Sequence, residues 1–306
     1  MTISQQPTHT RIGVDLGGTK VEAVALDGSG AILARERVPT PPDYRATVDA
    51  ITQLVLGIES TIGSGATVGV GIPGAVHPGT GLVKNANSTW LIGKPLRGDL
   101  EKELGRPVRM ENDANCFALS EAVDGAGSGA GNVFGVILGT GVGGGIVIDG
   151  KVIEGVNLIA GEWGHNPLPW IRADEFPGPP CYCGKQGCIE TFLSGPGFEN
   201  DYAAKTGSRL SAKAIVEGAN NGQPAARDAL TRYHDRLARA LASVINLLDP
   251  DVIVLGGGMS KTPGLAAAVS AGLPEYVFSS TIETRVSGNK HGDSSGVRGA
   301  AWLWPL

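Results

Sequence analysis

Three of the four cysteines stand close together in this chain of 306 residues. Cys181, Cys183 and Cys188 fall within eight residues of one another, on a segment that also contains two glycines. A cluster of thiolates on a tight loop is typical of a closed zinc site, which needs a fourth ligand. His165 is the best upstream candidate for that ligand. The spacing predicts a structural Zn²⁺ site, with three reduced, buried cysteines as the alternative.

Two glycine-rich segments have the composition of phosphate-binding turns. Asp15-Leu-Gly-Gly-Thr-Lys20 and Leu138-Gly-Thr-Gly-Val-Gly-Gly-Gly145 both follow an apolar run. Glycine lets successive backbone N–H groups converge on an anion without side-chain clashes. In the first segment Thr19 adds a hydroxyl and Lys20 a cation. Either segment alone could be a simple hairpin turn, but two of them together favour a polyphosphate site.

Neither segment matches the familiar nucleotide motifs. Gly17-Gly-Thr-Lys20 lacks the Gly-Lys-Ser/Thr order of a Walker loop, and a strand follows it where a helix is required. The spacing of Gly139, Gly141 and Gly144 does fit G-x-G-x-x-G. However, residues 145–148 continue as a strand, so the helix of a Rossmann dinucleotide site is missing.

A carboxylate stands where a strand is predicted to meet a helix. Asp113 lies in Glu111-Asn-Asp-Ala-Asn115, between an extended apolar run at 107–110 and a helical stretch at 115–123. Asp and Asn before a helix are favoured N-caps, which is one interpretation. Next to a phosphate site, Asp113 could instead accept the proton of an attacking hydroxyl, as phosphoryl transfer requires.

The elements that would position these residues occur twice along the chain. The first set is three short strands, an amphipathic helix and another strand, at residues 11–16, 21–26, 31–37, 45–62 and 67–72. The second set is a strand, a glycine turn, a second strand, a turn at residues 149–150, a third short strand, a long helix and a last strand, within residues 133–255. A duplication of this kind would place the two glycine turns on opposite walls of one cleft.

The composition limits the function further. The length favours two domains, and 42% hydrophobic with 18% charged residues is ordinary for a globular protein. A net charge of −5 without a basic stripe argues against a nucleic-acid partner. The polar residues 1–10 lack the pattern of a signal peptide, and glycines interrupt the apolar run at 133–148, which argues against a membrane helix. A cytoplasmic protein is expected.

Together these motifs resemble those of the ROK family of sugar kinases, over almost the whole chain. The family's five motifs occur in order as Asp15-Leu-Gly-Gly-Thr-Lys20, Glu111-Asn-Asp-Ala-Asn115, Leu138-Gly-Thr-Gly-Val-Gly-Gly-Gly145, Glu162-x-x-His165 and Cys-x-Cys-Gly-x-x-Gly-Cys-x-Glu ending at Glu190. The resemblance implies an actin-like, ribonuclease-H-like α/β fold with two βββαβα domains around a cleft. The expected domains are residues 1–120 plus 293–306, and residues 121–292 with the zinc loop.

The resemblance also implies a role for individual residues. Asp113 would be the general base. The sugar would be bound by Asn112, Asp113, Glu162, His165 and Glu190, and His165 would also complete the zinc site. ATP with Mg²⁺ would be held by Asp15, Gly17, Gly18, Thr19, Lys20, Gly139, Thr140, Gly141, Gly256, Gly257 and Gly258. Relatives of this kind are usually homodimers.

The narrower match points to fructose. Segments 83–91, 164–170 and 292–301 resemble the bacterial fructokinase branch, so D-fructose phosphorylated at its 6-hydroxyl is the expected reaction, with mannose as a further substrate. A glucose or N-acetylhexosamine kinase of the same family, or a non-catalytic sugar sensor, is the alternative. The family's repressors carry a DNA-binding domain before the first phosphate loop, and here only about a dozen residues precede Asp15, so that role is not expected.

Overall fold

Two five-stranded sheets form the framework of the computed structural model, which describes residues 10–86 and 88–305. The predicted polar segment at residues 1–9 and Asn87 in the segment 83–91 lie outside the described residues. The strands of the first sheet and the elements between them are β1 (Arg11–Leu16), β2 (Lys20–Leu26), β3 (Ile32–Pro39), α1 (Tyr44–Ile62), β4 (Thr67–Ile72), β5 (Ala75–Val76), β6 (Val83–Lys84), α2 (Leu96–Leu104) and β7 (Val108–Asn112).

The second part of the chain repeats this plan around a larger helical insertion. Its elements are α3 (Asp113–Val123), β8 (Asn132–Leu138), β9 (Val142–Ile148), β10 (Lys151–Val152), α4 (Glu190–Leu193), α5 (Gly195–Thr206), α6 (Ala212–Asn220), α7 (Pro224–Leu248), β11 (Val252–Gly256), α8 (Leu265–Gly272), β12 (Arg285–Gly288) and α9 (Ser295–Trp302).

The two sheets have the same strand order and the same directions. The first runs β3-β2-β1-β4-β7 and the second β10-β9-β8-β11-β12. In each sheet the first three strands are antiparallel neighbours. The fourth strand pairs in parallel with the third, and the fifth pairs in parallel with the fourth. This repeat confirms the predicted duplication, and the molecule has the actin-like ATPase fold. A small separate sheet pairs β5 with β6 beside the first sheet.

Local sequence signals explain why the elements begin and end where they do. The side chain of Asp43 accepts a hydrogen bond from the backbone N–H of Ala46 and so caps α1, which ends at Gly63 in the left-handed conformation. Strands β1 and β4 are buried along most of their length because helices cover both faces of the sheet. The predicted bounds of β1 and β4 are confirmed.

The turn in the second glycine segment is shorter than the sequence predicts. Strand β9 already begins at Val142, so residues 143–145 lie inside a strand. Packing explains these glycines: a Cβ at Gly145 would lie 2.6 Å from the carbonyl oxygen of Ala114, and one at Gly144 would lie 2.8 Å from the Trp163 ring. The turn itself is formed by residues 139–141.

The last helix of each half packs on the sheet of the other half. Helix α3 follows β7 of the first sheet but lies mainly against β8 and β9, whereas α9 follows β12 and lies against β1, β2 and β4. The two helices also contact each other, at a place where a side chain on Gly299 would overlap the carbonyl oxygen of Cys116. The fourth cysteine, Cys116, is buried there. The boundaries of the two domains at residues 120 and 293 stay a prediction.

A search of residues 10–86 and 88–305 for a helix both long and apolar enough to cross a bilayer finds none.

Candidate active site

A cavity of about 910 Å³ opens where the ends of the two sheets face each other. Its walls come from the segments around β5, the start of α3, the turn between β8 and β9, the loop at 154–162 and the cysteine loop. The residues predicted to bind sugar all line it: Asn112, Asp113, Glu162, His165 and Glu190. The structure therefore brings together side chains that are up to 78 positions apart in sequence.

The capping role that the sequence left open for Asp113 belongs to its neighbour. Asn112 is the N-cap of α3: its Oδ1 accepts from the backbone N–H of Ala114 at 2.9 Å, and its Nδ2 donates to the carbonyl oxygen of Gly74 at 3.2 Å. Asp113 is the first helical residue, and its Oδ1 accepts from the N–H of Ala114 at 2.8 Å. Because the cap is already made, the Asp113 carboxylate is available to the cavity.

Burial and like charges make two of the carboxyls unusually basic. Burial raises the pKa of Asp113 to about 6, with the nearby Glu162 adding to the effect and the N–H of Ala114 opposing it. Burial also raises the pKa of Asp15 to about 7; the charges of Asp113 and Glu22 raise it further, and Lys20 opposes them. The strand ladder places these two carboxylates near each other, because Asp15 pairs with Gly71 and Gly71 with Glu111, two residues before Asp113.

The second glycine turn is held from below by the start of the helical insertion. Glu190 accepts from the backbone N–H of Val142 at 2.9 Å, and the N–H of Gly195 donates to the carbonyl oxygen of Gly139 at 2.8 Å. A Cβ at Gly141 would lie 2.7 Å from the Glu190 carboxylate, so a side chain there would displace that carboxylate from its bond to Val142. Thr140 is exposed, and residues 139–141 all line the cavity.

The first glycine turn is closed by a hydrogen bond from the N–H of Gly17 to the carbonyl oxygen of Lys20 at 3.0 Å. The ammonium group of Lys20 pairs with the buried Glu22 at 3.1 Å, an interaction that the sequence analysis did not foresee. Gly18 and Thr19 are exposed. None of these residues lines the 910 Å³ cavity, so the two predicted phosphate turns do not share one continuous wall.

The third predicted glycine segment follows β11. Gly256 is buried, and a side chain there would enter the ring of Phe117. Gly257 has a φ of +83° and packs against the backbone of Leu138, whereas Gly258 is exposed. Close packing thus explains Gly256 and Gly257, and Gly258 alone faces solvent.

The predicted metal ligands come together as expected. The ligand atoms of His165, Cys181, Cys183 and Cys188 all lie within 4.8 Å of one another. The sulfurs of Cys183 and Cys188 are 3.6 Å apart, and Nδ1 of His165 is 3.6 Å from the sulfur of Cys181. A tetrahedron with Zn–S bonds of 2.3 Å has edges of about 3.8 Å, so this donor set fits Zn²⁺ in a closed site.

The other ring nitrogen of His165 faces Tyr182. Its Nε2 lies 3.0 Å from the tyrosine hydroxyl, and both residues line the cavity. The histidine thus has one nitrogen toward the cysteines and one toward the cavity, as the sequence analysis predicted. Tyr182 was missed because nothing in its spacing distinguishes it from any other residue in the cysteine loop.

The long segment between His165 and Cys181 is anchored by buried charges on α7. Arg239 donates to the carbonyl oxygen of Trp170 at 2.9 Å and to Glu175 at 2.8 Å, and Arg236 also pairs with Glu175 at 2.8 Å. Burial alone would raise the pKa of Glu175, but these bonds outweigh it and lower the pKa to about 2. In the sequence the two arginines are simply polar positions of an amphipathic helix, and nothing there indicates their partner Glu175. This anchor was therefore not predicted.

Comparisons with known proteins agree on one family. The model of the ROK family matches residues 11–306. The N-acetyl-D-glucosamine kinases of Shigella boydii and Escherichia coli are each 42% identical over 296 residues, covering 95% of this chain and 98% of the relative. Among solved structures, the ROK hexokinase of Thermus thermophilus superposes with a TM-score of 0.85 at 30% identity, covering 95% of this chain and 96% of the other. A ROK glucokinase from Streptomyces griseus, solved with glucose and AMPPNP, gives 0.78 at 32% identity, covering 96% and 98%.

Proposed function

The chain belongs to the ROK family and is an ATP-dependent sugar kinase, and from that premise we propose that its substrate is N-acetyl-D-glucosamine, phosphorylated at the 6-hydroxyl. The observation that carries the proposal is the 42% identity, over nearly the full length of both chains, to kinases named for this sugar. The sequence analysis held N-acetylhexosamines as an alternative to fructose, and the comparisons favour that alternative.

The cavity is compatible with a substituted sugar. Its volume of about 910 Å³ lies at the upper end of ordinary ligand pockets. Leu158, Ile159 and Ala160 line it beside Glu162, so apolar surface stands next to the predicted sugar-binding carboxylate. A methyl group such as that of an acetamide would gain from burial against these side chains.

We propose that Asp113 takes the proton of the attacking hydroxyl. Its carboxylate lines the cavity at the start of α3, whose cap is made by Asn112, and its raised pKa of about 6 suits a base that works near neutrality. Asn112, Glu162, His165 and Glu190 would orient the sugar through their hydroxyl contacts. Positioning of this kind accounts for most of the rate in phosphoryl transfer.

For the nucleotide we propose Asp15, the turn at Gly17–Lys20 and the turn at residues 139–141, with residues 256–258 toward the base. Bound Mg²⁺ would neutralise charge on the transferring phosphate, and Asp15, near the end of β1 and just before the first turn, is a carboxylate that could hold it. Since the first turn lies outside the open cavity, the proposal requires the two sheets to approach when ATP binds.

Zn²⁺ on His165 and the three cysteines would fix the wall of the cavity that carries Tyr182. Because His165, Cys181, Cys183 and Cys188 would fill all four positions of a tetrahedral site, a bound metal would supply rigidity and would have no open position for chemistry.

The experiment is a coupled ADP-release assay with ATP and Mg²⁺ on N-acetyl-D-glucosamine, N-acetyl-D-mannosamine, glucose, mannose and fructose. The proposal expects the highest kcat/KM on N-acetyl-D-glucosamine. A clear preference for fructose would restore the interpretation of segments 83–91, 164–170 and 292–301 as marks of the fructokinase branch. Absence of turnover on every sugar would favour the sensor.

A further inference from the structure

The chain passes between the two sheets at two places that lie side by side. The first crossing, residues 124–131, connects α3 to β8, and the second, residues 289–294, connects β12 to α9. A change in the angle between the sheets can be absorbed at these two segments and at the junction of β7 with α3, where the chain leaves the first sheet. Glycines at 125, 127, 129 and 292 occur within them.

One carboxylate joins the two crossings. Glu121, in the last turn of α3, is fully buried at 0% exposure. Its Oε2 accepts from the N–H of Ala126 at 2.8 Å, in the first crossing, and from the N–H of Lys290 at 3.1 Å, in the second. Its Oε1 accepts from the hydroxyl of Ser295 at 2.7 Å and, weakly, from the N–H of His291 at 3.5 Å.

The chemistry of this carboxylate is unusual for a buried charge. Within residues 10–86 and 88–305 its partners are three backbone N–H groups and one hydroxyl, with no cationic side chain among them. A buried charge is tolerated only when its hydrogen bonds are satisfied, so the carboxylate holds these donors together strongly. The geometry around it is also restricted, because a Cβ on Gly125 would overlap Oε2.

A second set of bonds reinforces the same point. Asp124 pairs with Nε2 of His291 at 2.8 Å and with the guanidinium of Arg298, which also donates to the carbonyl oxygen of Gly30 at 2.8 Å. The Nζ of Lys290 donates to the carbonyl oxygen of Asp124 at 2.9 Å. The end of α3, both crossings and the start of α9 thus form one hydrogen-bonded unit.

We propose that Glu121 is a positioning residue that clamps the two crossings into a single hinge and so sets the place of Asp113 between the sheets. Asp113 and Glu121 stand at opposite ends of α3, about 12 Å apart along its axis. A rigid helix transmits the position of one end to the other. With the clamp intact, the sheets close along one path, which brings Asp113 to the bound sugar. Closure then excludes water from the site, so that water does not replace the sugar hydroxyl.

The test compares Glu121→Ala with Glu121→Gln in the full chain. Alanine removes all four bonds. The glutamine oxygen can still accept from Ala126 and Lys290, while its amide group donates to Ser295, whose hydroxyl can turn to accept. Glutamine is therefore expected to keep most of these bonds. If Glu121 were needed only for its charge, Glu121→Gln would behave like Glu121→Ala.

Two readouts separate a hinge from general stability. Amide hydrogen exchange of residues 124–131 and 289–295, measured without ligands, is expected to quicken about tenfold in Glu121→Ala and less than threefold in Glu121→Gln. The ratio of sugar-independent ATP hydrolysis to sugar phosphorylation is expected to rise about tenfold in Glu121→Ala, measured on the sugar with the fastest turnover. The control is Asp201→Asn, which removes buried ion pairs to Arg232 and Arg236 far from the crossings and should alter neither readout.

Faster exchange in only one crossing, or an unchanged hydrolysis ratio, would overturn the proposal. If Glu121→Ala does not fold, Ser295→Ala decides, since it removes one bond to the carboxylate from the start of α9, directly after the second crossing, and leaves the bond from the first crossing in place. A shared hinge predicts quicker exchange in both crossings, whereas a change confined to residues 289–295 contradicts it. The exchange measurements need no substrate, so they stand even if the proposed sugar is wrong.

Discussion

The two halves of the molecule share one strand order but use their central hairpins differently. In the first half, β2 carries a carboxylate with 1% exposure, Glu22, which is paired with three cations, Lys20, Arg35 and Arg37. In the second half, β9 has no charge and places glycines at 143–145, where α3 and Trp163 come closest to the sheet. The same framework thus presents cations beside one glycine turn and a helix beside the other.

That difference shows how a duplicated frame acquires an asymmetric site. Each sheet packs closely against the helix that follows the other sheet in the chain, and glycines make this approach possible. Gly13 and Gly69 lie under α9, and Gly135 and Gly145 lie under α3. The packing is shared, but only α3 begins with a carboxylate in the cavity, at Asp113. Only the second half carries the long insertion between β10 and β11 that holds the cysteine loop.

The largest effect is expected from Asp113→Asn. Loss of a general base typically costs a factor of 10² to 10⁴, so kcat should fall about 10³-fold. The amide has the same shape, and α3 keeps its Asn112 cap, so sugar affinity by calorimetry and zinc content should be retained. A kcat within about tenfold of that of the parent would show that Asp113 is not what distinguishes the two halves in catalysis.

The exchanged helices predict paired effects on stability. A Cβ at Gly13 would lie 2.6 Å from the backbone nitrogen of Ala301, and one at Gly145 would lie 2.6 Å from the carbonyl oxygen of Ala114. Gly13→Ala and Gly145→Ala should each lower the free energy of unfolding by about 3 kcal/mol. Gly98, exposed in α2 with no atom near its Cβ position, is the control: Gly98→Ala should raise that energy by up to about 1 kcal/mol. Chemical denaturation measures all three, and a tolerated Gly145→Ala would mean that α3 does not seat on β9 as closely as α9 does on β1.

Cys183→Ser tests whether the cysteine loop of the second half binds zinc and supports the sugar side of the cavity. Loss of one thiolate from the closed donor set should abolish stable zinc binding and loosen the wall that carries His165 and Tyr182. We expect zinc well below one ion per chain and a sugar KM raised about tenfold, with the KM for ATP little changed. Cys116→Ser, outside the cluster, is the matched control and should keep its zinc. Equal changes in both KM values would contradict a role confined to the sugar wall.

Much of this arrangement could be predicted from the sequence because its signals are local. The apolar runs of β1 and β4, the capped helix α1 and the tight spacing of Cys181, Cys183 and Cys188 each depend on residues close together in the chain. The repeat of strands, glycine turn and helix along the chain followed from the same patterns. His165 was expected beside the three cysteines, and the structure places it there.

What the sequence did not predict depends on contacts between distant segments. Gly143 and Gly144 were assigned to a turn because the elements that pack against them, α3 and Trp163, come close only in three dimensions. The cap on Asn112 and the pairing of Lys20 with Glu22 depend on which neighbouring polar side chain faces which donor. The anchoring of Glu175 by Arg239 joins residues 64 positions apart, a distance at which no periodicity carries information.

A pH dependence follows from the raised pKa of Asp113. With the pKa of Asp113 at about 6, the base is protonated below pH 6, so kcat/KM should fall about tenfold per unit from pH 6 to 5, whereas an ordinary aspartate would stay charged there. A profile that stays flat to pH 5 would contradict the burial of the base.

Stability changes in the opposite sense. Because the folded carboxyl binds its proton more tightly than the unfolded one, whose pKa is 3.8, the free energy of unfolding decreases as pH rises from about 4 to 6. A pKa raised by about two units corresponds to roughly 3 kcal/mol, so Asp113→Asn should be more stable than the parent at pH 8 by up to that amount and equal to it near pH 3. Denaturation at both pH values measures the difference. The outcome decides whether the start of α3 is held in the cavity at a cost in stability that only its function explains.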